Sequence, residues 1–182
     1  MMGRISCEAL CRAIEKTRTL DRAQKETLAD ELFHDQPHMF GSFLVQHRLG
    51  VSPEKMEFLL ELLFVCFLAM RESGLAWPMI TEDEQDRQMA RYVGTVKFGE
   101  DLTAPLRELA MQKYIEAHPE QQLLAYVTVE TANWLKRIVA EETDTHVMMS
   151  AMNFVNCIAF VPMPISTPST CRKQGAAQRG RK

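Results

Sequence analysis

Between Phe58 and Met70 the chain is apolar at every position except Glu61, and the run is bracketed by Ser52-Pro-Glu-Lys55 in front and Gly74 behind. Ser52 is placed to accept a backbone N–H as N-cap, Pro53 suits the first helical position because its φ is already set, and glycine supplies a left-handed stop. The pattern predicts a helix over 52–73. As a helix the apolar run measures about 20 Å, short of the ~30 Å hydrocarbon thickness, so a buried core helix is expected rather than a membrane span. A helix that is apolar on nearly every side must be surrounded, and the other segments are read as a shell around it.

Those segments carry the 3.6-residue period. Cys7, Leu10, Cys11 and Ile14 predict a first helix that buries both thiols. Asp21 is a capping residue for a second, with Leu28, Ala29, Leu32 and Phe33 inward and Pro37 at its end. A third, over 38–49, turns Phe40, Phe43, Leu44 and His47 to one side, which makes His47 a hydrogen-bonded core residue in expectation. Thr81-Glu-Asp-Glu84 reads as a capping box opening a fifth helix, polar through Gln88 and then buried through Met89, Tyr92, Val93 and Val96. Thr103 and Pro105 open a sixth with Leu106, Leu109, Ala110 and Tyr114 inward, broken at His118-Pro119. Over 120–142 the period is helical through Leu124, Val127, Trp134, Leu135 and Ile138, although Tyr126 to Val129 carries strand propensity.

Two stretches depart from ordinary patterning. The connection Leu75 to Ile80 is apolar where loops normally run over the surface: either Trp77 and Ile80 cap the bundle, or Trp77 and Met79 anchor a partner. The last helix, 145–160, has no charged residue, and its polar members His146, Ser150, Asn153 and Asn156 fall close to one line. A neutral stripe fits a protein contact at Ser150, Asn153 and Asn156, a ligand cavity, or a partly covered surface.

At 182 residues with 46% hydrophobic and 25% charged positions, the chain is large enough to bury roughly 70% of its unfolded surface without disulfides or metal. Five cysteines, odd in number and unpaired in spacing, fit reduced thiols in a cytoplasmic protein. Charged residues from Arg4 to Lys16 interrupt any leader-like apolar stretch, so export is not expected. No acid follows Asp144, and Arg172, Lys173, Arg179, Arg181 and Lys182 put five positive charges at the end; the net −3 therefore leaves −8 on the rest. Pro162, Pro164 and Pro168 mark a linker, so the expected organisation is a bundle over 1–161 and a flexible basic tail over 162–182. That tail is the one place where nucleic acid could bind, since the acidic body offers no basic recognition helix.

Catalytic signatures are sparse. Glu31-Leu-Phe-His34 has the Glu-x-x-His spacing of helical di-iron sites, but the second such motif and the further glutamates are missing, and Glu31 with His34 stands as an incomplete metal site. No Gly-rich phosphate loop and no Gly-x-Ser-x-Gly elbow occurs. The sequence therefore leads to an all-α, single-domain bundle of seven or eight helices around a central apolar helix. Its expected role is a non-catalytic, cytoplasmic interaction or adaptor protein that needs no cofactor, binds a protein partner or itself, and does not enter membranes. The alternative is a helical metal- or small-ligand-binding protein or enzyme using Glu31, His34, Glu61 or His47.

Overall fold

The structure, a computed structural model, describes residues 3–100 and 102–164. Among them are eight helices and no strand: α1 (Cys7–Thr19), α2 (Arg22–Asp35), α3 (Pro37–Arg48), α4 (Pro53–Glu72), α5 (Glu82–Glu100), α6 (Ala104–Ala117), α7 (Gln121–Leu135) and α8 (Asp144–Phe160). No described helix is long and apolar enough to cross a membrane.

α4 is the axis of the molecule. Leu62 through Met70 are all buried, because α1, α2, α3 and α8 pack around it. Gly74, at φ +69°, provides the left-handed stop. The Ser52 side chain makes no capping bond, so Pro53 alone marks the start. Lys55, on the first turn, is buried among the ends of α7 and α8, where its Nζ meets Asp144 and Glu141 (2.8 Å to the latter) and donates to the Val139 carbonyl (3.3 Å). Burial works against the Lys55 charge, but the hydrogen bonds to the two carboxylates outweigh it and its pKa rises.

Docking onto α4 corrects the expected faces of three helices. α1 buries Ala9, Leu10, Ala13 and Thr17, and Cys7 and Cys11 are exposed. The two alanines let the α1 and α4 backbones approach closely, and this turns the helix about a quarter turn away from the face that the cysteines share with Ile14. Cys66 and Cys157 are buried, and desolvation pushes both thiols up to about 12. In α2, Phe33 is 59% exposed and meets the Phe40 ring edge-on. α3 buries Met39, Phe43 and Gln46, so Leu44 and His47 are exposed and a glutamine takes the inward position assigned to the histidine.

The apolar connection before α5 caps the end of α4. Trp77 is half-buried against the core, and its Nε1 donates to the Met70 carbonyl and to Ser73 Oγ, both at 2.9 Å. Ile80 is fully buried. Gln36, the single residue between α2 and α3, pins this connection with both ends of its amide: Nε2 donates to the Pro78 carbonyl (2.9 Å) and Oε1 accepts from the Ile80 N–H (2.8 Å).

α5 and α6 reverse the expected polarity. α5 buries Glu84, Gln85 and Gln88, whereas Met89, Tyr92 and Val93 are half-buried and Val96 is exposed. α6 has no buried residue, with Leu106 and Leu109 about half exposed, and only Ala110 and Tyr114 turned partly inward. α7 is helical through Tyr126 to Val129, because Leu123, Leu124 and Val127 lie against the core and the Trp134 indole stacks on Phe58 at 4.6 Å. It ends at Leu135, well short of Glu142.

Candidate functional site

α8 explains why α5 turns polar groups inward. It lies between α4 and α5, its apolar residues face α4, and Ser150, Asn153 and Asn156 are buried. The neutral stripe is thus a seam inside the chain, and these three side chains are covered by the fold.

At the C-terminal end the seam is hydrogen-bonded through the Asn156 oxygen. Asn156 Oδ1 accepts from the Tyr114 hydroxyl (3.0 Å) and lies 3.1 Å from His118 Nε2. Because His118 Nδ1 accepts the Glu120 N–H (3.1 Å), the imidazole proton sits on Nε2 and is donated to Asn156. The Glu120 carboxylate in turn accepts the backbone N–H groups of Arg4 (2.7 Å) and Ile5 (3.2 Å), and Arg4 Nη1 donates to the carbonyls of Val161 (2.7 Å) and Ile158 (3.2 Å). This network clasps the segment before α1 to the end of α8. Desolvation pushes the His118 pKa below 6.5, so the unfolded chain takes up a proton that the folded one resists, and stability falls as pH drops below that value. Burial raises Glu120 above 4.5, which acts in the opposite sense, so the clean readout is a difference. Between about pH 7 and pH 5, thermal melts of the wild type should fall more steeply than those of His118→Gln; parallel curves would show that the imidazole has the same pKa folded and unfolded.

Toward the N-terminal side of α5 the seam is not fully bonded. Gln46, Gln85, Gln88 and Asn153 are all more than 90% buried, and in each the side-chain carbonyl oxygen has no partner among the described residues. For three of them the orientation is set by the NH2 end: Gln46 Nε2 donates to the Ser42 carbonyl (3.1 Å), Asn153 Nδ2 to the Gln85 carbonyl (3.2 Å) and Gln88 Nε2 to Glu84 Oε1 (2.8 Å). Unsatisfied buried acceptors cost about 1–3 kcal/mol each, so four on one seam need a reason.

Gln46, Gln85 and Asn153 line a cleft of about 400 Å³ between α3, α5 and α8. Its rim carries Glu82 and Asp86, both exposed, and His38, whose Nδ1 is 3.3 Å from Glu82. Pro37, Val45 and Met89 supply apolar wall, and among the described residues no Lys or Arg lines it. The cleft is thus lined by three amide side chains whose oxygens are buried and unpartnered, together with two acids and an apolar wall.

The other sequence candidates lie elsewhere. Trp77 is committed to capping α4, and Met79 beside it is 51% exposed. Glu31 is paired with Arg71, His34 is exposed, and among the described residues no three His, Cys, Asp or Glu side chains gather in a way that could hold a metal. Glu61 pairs with Lys25 on the surface (3.0 Å). Arg172, Lys173, Arg179, Arg181 and Lys182 lie outside the described residues. Asn153 is the one predicted site residue that lines the cleft. Gln46, Gln85, Glu82 and Asp86 were not singled out from sequence, and the only available signal was the run of polar residues from Glu82 to Gln88 at the register of a buried face. Comparison with known proteins finds no match to a family model, to a curated protein or to a solved structure.

Proposed function

We propose that this protein is a helical interaction module whose α3/α5/α8 cleft receives an arginine side chain from a basic segment of a partner protein. The observation that carries this reading is that Gln46, Gln85 and Asn153, three residues whose amide oxygens are buried without a partner, line one acid-rimmed cleft. Guanidinium offers five N–H donors in a planar fork and no acceptor, so it suits a cleft lined by several amide side chains better than the compact ammonium of lysine. Its aliphatic stem matches the walls of Pro37, Val45 and Met89. Glu82 and Asp86 add attraction at the rim, which governs encounter and salt dependence more than final affinity.

The test is fluorescence anisotropy with a labelled Arg-Gly-Arg-Gly-Arg peptide and its lysine counterpart. The arginine peptide should bind the tighter, and Glu82→Gln with Asp86→Asn should weaken it about three- to tenfold, in line with roughly 1 kcal/mol for exposed charges. Glu108→Gln with Glu116→Gln, on the remote α6, should leave binding unchanged. Equal binding of both peptides, or equal losses from the two pairs of substitutions, would reduce the interaction to diffuse attraction by an acidic surface.

A further inference from the structure

We infer that Cys7 and Cys11, exposed at the start of α1, form a two-thiolate site for one soft monovalent cation, copper(I), independent of the α3/α5/α8 cleft. The two residues stand four apart on one helix, which places their side chains on the same face. α1 docks through Ala9, Leu10 and Ala13 instead, so neither thiol is spent on packing. This separates the pair from Cys66 and Cys157, which are buried.

The spacing selects the chemistry. Side chains at i and i+4 of a helix have Cβ atoms about 5–6 Å apart, beyond the 3.5–4.5 Å typical of a disulfide, so the helix keeps the two sulfurs from bonding to each other directly. A bridging ion removes the mismatch, because two metal–thiolate bonds of about 2.3 Å, opposed at the metal, set the sulfurs about 4.6 Å apart. The thiols already interact: the hydrogen bond between Cys11 and Cys7, and then the charge on Cys7, raise the Cys11 pKa. A cation held between them reverses that repulsion. Among the described residues no third His, Cys, Asp or Glu completes a metal-binding group with the pair. Zinc takes three or four protein donors and the hard divalent ions take oxygens, whereas two thiolates alone satisfy copper(I). Binding replaces two S–H bonds with two Cu–S bonds, releases two protons and changes no oxidation state. The complex carries one negative charge, which the helix dipole favours at the start of α1, where Cys7 follows the N-cap Ser6.

The experiment titrates the full chain, reduced and in thiol-free buffer under nitrogen, into the coloured copper(I) complex of bicinchoninate, and the loss of colour reports transfer. The wild type should take up one copper(I) per chain, with two sulfur neighbours in the X-ray absorption spectrum. Cys7→Ser and Cys11→Ser should each weaken uptake at least about 100-fold, the upper end of what losing even an outer partner of a metal ligand costs. Both side chains are exposed, so the circular dichroism of these variants should match the wild type. Cys171→Ser, which lies outside the described residues, should keep full uptake, and added zinc should not compete. The site is overturned if the wild type takes up no copper(I), if uptake survives either substitution on α1, or if Cys171→Ser abolishes it. A shell of three or four sulfurs, or displacement by zinc, would equally overturn it.

Discussion

Phe64→Ala should destabilise the protein by about 3–5 kcal/mol, the range for deleting a fully buried aromatic ring. Phe64 sits in the middle of α4 with no exposed surface, enclosed by the helices packed around that axis. The loss is a large share of the roughly 5–15 kcal/mol that holds a domain together, and for a chain of this size it corresponds to a drop of about 6–20 °C in Tm. Phe98 provides the matched control. It is the same residue type, 65% exposed on α5, and Phe98→Ala should change stability by no more than about 0.5 kcal/mol. Urea denaturation of both variants measures the contrast. Equal losses would mean that α4 is not the centre of the fold.

Asn156→Leu should cost about 2–5 kcal/mol, because one substitution removes the acceptor of both the Tyr114 hydroxyl and the His118 Nε2–H. Tyr114 is only half-buried and can turn to water, so most of the loss falls on the buried imidazole. A double-mutant cycle with Tyr114→Phe separates this from mere overpacking, since a lost hydrogen bond leaves coupling between the two sites and a steric clash does not. The network also gives a remote readout. His118 holds the Glu120 N–H, and the Glu120 carboxylate holds the N–H groups of Arg4 and Ile5, so amide exchange at those two residues should accelerate in Asn156→Leu. Unchanged protection there would show that the clasp does not depend on Asn156.

What could be read from sequence followed the strength of the local signal. An apolar run between Pro53 and Gly74 admits one solution, and the buried α4 is it. In the apolar Leu75–Ile80 connection Ile80 is buried and Trp77 half-buried, held by Gln36 and the Trp77 hydrogen bonds, whereas Leu75 and Met79 are exposed. The misreadings share a cause: periodicity identifies an apolar face but not the face a neighbour will choose. α1 docks through Ala9 and Ala13, which are small rather than strongly apolar, and this leaves Cys7 and Cys11 outside. The seam between α5 and α8 was harder still. Each helix on its own presents polar residues that read as surface, and only their juxtaposition makes Glu84, Gln85, Gln88, Asn153 and Asn156 a buried layer. The neutrality of α8 was the visible half of that arrangement; the pairing with Glu82 to Gln88 required the fold. Gln46 entered from a third helix, at a position where the period pointed to Leu44 and His47 instead.

The proposed arginine site is lined by Gln46, Gln85 and Asn153. The most direct measurement is a nitrogen–proton correlation spectrum of the labelled protein, recorded while the unlabelled Arg-Gly-Arg-Gly-Arg peptide is titrated in. The side-chain NH2 signals of these three residues should shift together along one saturable curve, with the signals of Gln112 and Gln121, on the surface of α6 and α7, unmoved. Shifts that leave the three cleft amides in place and spread instead over the backbone amides of the exposed acids would contradict an arginine site there.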